Sequence, residues 1–281
     1  MPNTSTTNAW LFPPQTREVQ LDEKWSYVTK KEQHCDRDNP DDDRCGDCWD
    51  HVALDAESRL VLSVVPGRRS EENTLLLVQD VAARTGGAPL ALFTSDENPA
   101  YAWALLEVYG EWMQPERQGK RGRHPNPVLV PPEDLTYATV HKTRENNRVV
   151  KVEARVVYGS EEAVQAALDA SSVSDTVNTA YLERQNGTDR NRNARKTRKT
   201  YCFSKDLQVH KAVTYFTMYS YNFCWPVRTL RQKVAPKRYS QRTPAMAAGL
   251  ADHVWSLREW LTYPACERCQ RVDNSVNRRQ D

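Results

Sequence analysis

What most constrains this chain is where its hydrophobic period is two and where it lengthens. From Glu18 to Val28 the residues alternate, with Val19, Leu21, Trp25 and Tyr27 on one side and Gln20, Asp22, Lys24 and Ser26 on the other. Successive side chains of a β-strand point to opposite faces, so this segment is a strand with Asp22 at its middle, on the polar face. His51 to Val65 repeats the pattern, folded back at Asp55 to Ser58, and completes a three-stranded meander. Lys30 to Asp50, with seven Asp, reads as a polar loop on the hairpin tip.

The period then becomes helical. Ser70 caps a helix with Glu71 and Glu72 in its first turn and Leu75, Val78 and Ala82 on one stripe, stopped by Gly86-Gly87. Leu90 to Thr94 is a short buried strand, followed by Asp96 and a helix from Pro99 to Tyr109. The order βββαβα defines an α/β domain. Glu111 to Asp134 lacks periodicity and reads as a surface loop or mobile insert; Tyr137 to Lys142 and Val149 to Val157 form a hairpin that extends the sheet. A small helix, Glu161 to Ala170, precedes a longer one starting near Ser174 that carries Glu183. Ser204 caps a further helix whose apolar side is Leu207, Val213, Tyr215 and Phe216. Thr243-Pro244 starts a last one running through Met246, Leu250, Val254, Leu257 and Leu261. The expected organisation is a disordered lead-in over 1–17, one α/β domain over 18–231 with an insert near 111–134, and a basic linker, helix and polar tail over 232–281.

Net charge is only +2, but it is segregated. Arg184 to Arg242 holds 15 Lys and Arg against Asp189 and Asp206, a stretch of +13 that leaves −11 elsewhere, as in a protein that grips a polyanion with one end. A solvated basic face is the plainer alternative. The longest apolar run, Leu60 to Val65, is broken by Ser63 and far shorter than the roughly 20 residues that span a bilayer, so no membrane segment is expected. The first 16 residues lack the basic end and apolar centre of a secretory signal. The cysteines are therefore expected to stay reduced.

Asp22, Asp96 and Glu183 are candidate ligands for a pair of divalent ions. Asp96 follows a buried strand at the end where open α/β sheets gather ligand-binding groups. Thr179, Glu183, Asn186 and Arg190 form one polar helical stripe that, if it faces the sheet, brings Glu183 to the other two. The chain has 37 acids, so spacing alone leaves each of the three open to being an ordinary surface carboxylate.

The segments around these acids resemble those of DDE transposases of the bacterial insertion sequence one family, whose catalytic chain is of the InsB type. Leu21-Asp22-Glu23-Lys24-Trp25-Ser26-Tyr27-Val28 is similar to the family's Asp-Glu-x-Trp-x-Tyr-Val strand, and Asp96-Glu97-Asn98-Pro99-Ala100-Tyr101 to its Asp-x-x-Pro-x-Tyr turn. Glu183-Arg184-Gln185-Asn186 resembles its Glu-Arg-x-Asn, followed in the family's order by Arg195-Lys196-Thr197, Phe203-Ser204-Lys205 and His210. The resemblance covers Glu18 to about Arg231. It implies an RNase H-like mixed sheet flanked by helices, with Mg²⁺ (or Mn²⁺ in its place) at Asp22, Asp96 and Glu183. The implied activity is cutting and joining of transposon ends on double-stranded DNA, by a bacterial nucleoid protein that is a homo-oligomer on DNA. Arg184, Asn186, Arg190 and Arg192 would lie along the DNA backbone, with Arg195, Lys196 and Lys199 beyond them and His210 as a phosphate contact. Only 21 residues precede Asp22, so the region that reads the element's ends is expected to be either missing or carried on a separate N-terminal DNA-binding chain. A plain nuclease of the same fold and a non-catalytic DNA-binding remnant of a broken element are the competing readings.

Other signals are weaker. His34, Cys35, Cys45 and Cys48 could hold structural Zn²⁺, but their spacing fits no standard module, and reduced loop thiols are the expectation. Cys266 and Cys269 lack local partner ligands. The acidic run from Asp36 to Asp50 lacks the Gly and Glu of a calcium loop and is read as solvated. Tyr215, Phe216, Tyr219, Tyr221, Phe223 and Trp225 are read as core in preference to a base-stacking series.

Overall fold

The computed structural model describes residues 15–36, 38–116, 124–146 and 148–263. Strands β1 (Glu18–Val28), β2 (Gly46–Asp55) and β3 (Val61–Gly67) form the antiparallel meander. After them come α1 (Glu71–Arg84), β4 (Leu92–Ser95) and α2 (Pro99–Tyr109). Both helices start at side-chain caps: the Ser70 hydroxyl, the cap expected from the sequence, accepts from Asn73 N–H, and Asn98 accepts from Ala100 N–H ahead of the expected Pro99. The stretch expected to be an unstructured insert contains a small antiparallel ribbon, β5 (Glu111–Met113) with β6 (Val128–Val130). Strands of three residues are too short to show a period, which is why the sequence does not reveal them.

Next come β7 (Tyr137–Glu145), β8 (Arg148–Tyr158), α3 (Glu161–Asp169), α4 (Ala180–Arg192) and α5 (Leu207–Cys224). A second ribbon, β9 (Gln232–Ala235) with β10 (Arg238–Ser240), leads to α6 (Pro244–Ala247) and α7 (Leu257–Thr262). The main sheet has the order β3-β2-β1-β4-β7-β8, in which β4 runs parallel to both β1 and β7 and the other pairs are antiparallel. Helices cover both of its faces. Val19, Leu21 and Phe93 pack with Leu77 and Val81 of α1 and Tyr101 and Leu105 of α2. On the other face Val52, Leu54 and Val64 meet Leu182 of α4 and Met218 of α5, while Leu92 and Val140 meet Val164 and Leu168 of α3. Each such side chain, fully buried, contributes about 1.5–3 kcal/mol. The chain is a mixed α/β fold with a six-stranded sheet flanked by helices. No helix among the described residues is long and apolar enough to cross a membrane.

Expectations about three helices are corrected. The helix that carries Glu183 begins at Ala180 and not near Ser174, because the Ser171 and Ser174 hydroxyls donate to Glu18 and tie the preceding irregular segment to the start of β1. Asp206, not Ser204, caps α5 by accepting from Val209 N–H. The buried side of α5 carries His210, Thr214, Thr217, Met218 and Tyr221, whereas Tyr215 and Phe216 are exposed. The single last helix is two short ones, broken at Gly249, whose φ of +75° lies in the left-handed region that favours glycine. Residues 1–14, most of the expected lead-in, lie outside the described residues, as do Cys266 and Cys269.

Candidate metal centre

The pairing of β1 with β4 ends at Leu21 opposite Ser95, so the next residue on each strand, Asp22 and Asp96, stands at the same level where the shorter strand stops. Oxygens of Asp22, Asp96 and Glu23 lie within 4.8 Å of one another, an arrangement able to hold a metal ion. Glu23 was absent from the sequence reading, since alternation assigns it to the face opposite Asp22. Past the end of β4 no strand separates the two faces, and both side chains border one opening.

Each acid is held in place. Asp22 accepts from Glu23 N–H at 2.8 Å and from Asn186 Nδ2 of α4 at 2.8 Å. Asp96 accepts from Asn98 N–H at 3.2 Å. The buried Glu23 carboxylate accepts from Asn98 Nδ2 at 2.6 Å and Arg69 Nη2 at 3.2 Å, with the fully buried Tyr101 hydroxyl in its field. Asn98 therefore ties the start of α2 to the acid cluster.

The charges are unbalanced. Burial, then the Asp96 and Glu23 carboxylates and more weakly Glu183, push the Asp22 carboxyl up to about 7. Burial and Glu23 raise Asp96 as well, against the opposing charges of Arg69 and Lys142. Like charges held this close favour protonation or a cation, and an all-oxygen donor set suits a hard divalent ion such as Mg²⁺. The residues present thus fit a metal.

Glu183 is not one of the three clustered acids. It sits in the first turn of α4, half exposed, accepting from Thr179 Oγ1 at 3.1 Å and ion-paired with Lys142 of β7. Its charge nevertheless reaches Asp22. Asn186, one turn further along the same helix, is the residue of the predicted stripe that touches β1.

The predicted DNA-facing residues divide. Arg184 and Lys199 are exposed and Arg195 is partly so. Arg190 is partly buried, in the field of Asp22, Asp189 and Asp50. Arg192 turns inward, donating to the Thr217 carbonyl at 2.8 Å and the Ser220 hydroxyl at 3.2 Å. The expectation that Lys196 and His210 contact DNA is corrected: both are buried. Lys196 pairs with Asp50 and donates to Thr214, and His210 sits between the Ser204 and Ser26 hydroxyls, 2.8 and 3.2 Å away, with burial lowering its pKa to about 4. Below Asp22, Lys24 pairs with Asp50 and Asp189. The result is a buried set of two cations and two anions.

The reading of Asp36 to Asp50 as solvated fails for two of its members. Asp50 is in β2 with no exposure, and Asp42 is buried against Lys30 at 2.6 Å. In the candidate zinc set, Cys35 and Cys45 point their thiols at the Lys31 and Asp41 carbonyls, His34 meets Gln33, and burial pushes the Cys48 thiol up to about 12.

Comparison with protein-family models finds no match, and comparison with curated proteins finds none.

The raised Asp22 pKa has a measurable consequence. A carboxyl whose folded pKa exceeds its unfolded value stabilises the fold below the unfolded pKa, near 3.8, and that contribution disappears as pH rises through about 7. In chelator, Asp22→Asn should therefore gain stability over the wild type between pH 5 and pH 8, by roughly 2–4 kcal/mol after allowance for partial exposure. Denaturant unfolding at both pH values measures the gap, and a gap that does not widen with pH contradicts the assignment.

Proposed function

We propose that this chain is the catalytic part of a DNA transposase of the DDE type, resembling the insertion sequence one family, and that it cuts transposon ends and joins them to target DNA. The carrying observation is the meeting of Asp22 and Asp96, distant in sequence, where β4 stops beside the middle of the parallel strand β1, with α4 docked so that Asn186 touches Asp22 and Glu183 lies within its field. An RNase H-like arrangement is the finer reading of the mixed sheet that goes with this function. Glu183 is preferred to Glu23 as the third ligand on the likeness of Glu183-Arg184-Gln185-Asn186 to the family's Glu-Arg-x-Asn; both acids are engaged, Glu23 by Arg69 and Asn98 and the half-exposed Glu183 by Lys142 and Thr179.

Bound divalent ions of the Mg²⁺ type would activate the attacking oxygen and stabilise the leaving one. Asp22 and Asp96 hold and orient, Asn186 fixes the Asp22 carboxylate, and Lys142 and Arg190 add positive charge beside it for the phosphodiester. No side-chain nucleophile is required, since water or a freed 3′-hydroxyl attacks in line. The exposed Arg184, Lys199 and Lys205 supply backbone contacts.

The test supplies the purified protein with Mg²⁺, target plasmid and linear DNA carrying the inverted repeats that flank its gene. Joined product is the expected result. Cleavage without joining would leave a plain nuclease, and salt-sensitive binding with neither reaction would leave a DNA-binding remnant.

A further inference from the structure

On the side of α4 turned away from Glu183, a cavity of about 230 Å³ lies between that helix, the turn joining β2 to β3 and the segment after α5. Arg59, Arg184 and Arg228 line it together with the rings of Tyr181, Tyr221 and Trp225, and among the described residues no carboxylate does. Three guanidinium groups without an acid select an anion.

Two donors in this wall are sealed from water without an acceptor. Gln185 is 3% exposed, yet its Nε2 has no hydrogen-bond partner, and Nη1 of Arg59 is likewise enclosed and unmatched. Buried polar groups are almost always paired, so two N–H donors without acceptors on residues of this wall leave acceptor sites for a ligand toward which these side chains turn. Arg59 is also held in position: its φ is +62°, its backbone N–H donates to the Asp55 carbonyl at 2.9 Å, and its guanidinium carbon lies 3.4 Å from the Tyr181 ring centroid. Stacking uses the flat face of a guanidinium and leaves its edge donors available. Trp225 is 46% exposed, with Arg192 against its ring at 4.9 Å. An exposed indole beside an anion subsite can stack a planar base.

We infer that this cavity binds the phosphate of a nucleotide, through Arg59, Arg184 and Gln185, with the attached base against Trp225. The phosphate can come from a nucleotide unit of a DNA strand or from a free nucleotide. The site shares no residue with the acid cluster, and its binding needs neither a metal nor the proposed strand transfer.

Calorimetric titrations in chelator, so that the acid cluster cannot recruit ligand through a cation, test the inference with inorganic phosphate, thymidine, thymidine 5′-monophosphate and trithymidylate. The monophosphate should bind at least about tenfold tighter than thymidine. Gln185→Leu and Arg184→Ala should each weaken it at least about fivefold, and Asp22→Asn should leave it unchanged. Trithymidylate binding tighter than the monophosphate identifies a strand as the source; the reverse order identifies a free nucleotide. Arg184 is exposed, so its variant remains informative should Gln185→Leu unfold. Failure of the wild type to take up any phosphate ligand, or binding by Arg184→Ala equal to wild type, overturns the inference. Loss of strand transfer with binding intact would count against the proposed function alone.

Discussion

Asp22→Asn and Asp96→Asn should each lower Mg²⁺-dependent DNA cleavage by about a thousandfold or more, equivalent to roughly 4 kcal/mol of transition-state stabilisation. Both variants keep the side-chain shape and remove the charge that a hard cation requires. Neither should unfold the protein: in Asp22→Asn the amide oxygen still accepts from Glu23 N–H, the new NH2 can donate to the otherwise unpartnered Asn186 Oδ1 once that amide turns over, and Asp96 accepts a single bond from Asn98 N–H. Cleavage rates with saturating Mg²⁺ measure the effect. Calorimetric metal titration shows whether the loss lies in binding the ion. Glu183→Gln and Glu23→Gln then identify the third ligand. On the proposed reading the first loses activity to a similar extent, while the second, which leaves Arg69 without its anion, mainly lowers stability. Cleavage by Asp22→Asn within tenfold of wild type removes the metal centre from the reaction; a larger loss from Glu23→Gln than from Glu183→Gln moves the third ligand to β1.

The parts of this site legible in the sequence are those decided by local chemistry. Alternation along β1 assigns Asp22, Lys24 and Ser26 to one face, and all three do contact α4 or α5, through Asn186, Asp189 and His210. The cap at Ser70 and the proline at Pro99 act on neighbours within a few residues and set the start of α1 and α2. Glu23 was not legible, because its entry into the acid cluster depends on β1 outrunning β4, a matter of pairing register between segments some seventy residues apart in the chain. Lys196 and His210 lie in a basic run and read as surface cations, but their partners, Asp50 and Ser26, are far upstream. The phase of α5 failed for the same reason. Its apolar residues suggested one buried side, yet the sheet presents Ser26 and Asn222's backbone partner Val61 and the turn after α4 presents Lys196, so the helix turns hydroxyls, His210 and an amide inward and leaves Tyr215 and Phe216 outside. A buried charge demands a polar partner more strongly than two aromatic rings demand cover.

That demand sets the other large effect. Lys24→Met should destabilise the protein by about 3–5 kcal/mol at pH 7, since it removes one cation from a buried set of two lysines and two aspartates. The Lys24 ammonium is in contact with Asp189 and 3.3 Å from Asp50, and neither carboxylate is open to solvent. One oxygen on each has no other hydrogen-bond partner, so no spare donor waits to replace the lysine. Burial alone would raise the Asp50 pKa; Lys196 and Lys24 overcome it and hold the carboxyl near 2, where it stabilises the fold above about 4 and loses that contribution as pH falls through about 2. Without Lys24 the Asp50 carboxylate should bind a proton at higher pH, so the deficit should be largest near neutrality and shrink toward pH 4. Denaturant unfolding of Lys24→Met, Asp189→Leu and the double variant separates the pair from its parts. The double variant should be several kcal/mol more stable than the sum of the single losses predicts, because removing both partners leaves one balanced Asp50–Lys196 pair. Additive losses would mean that the two residues stabilise the fold independently. Because Lys24 and Asp189 clamp β1 to the helix that brings Asn186 onto Asp22, the same substitution should also loosen the metal ligand, and residual cleavage by folded Lys24→Met should require more Mg²⁺ than the wild type.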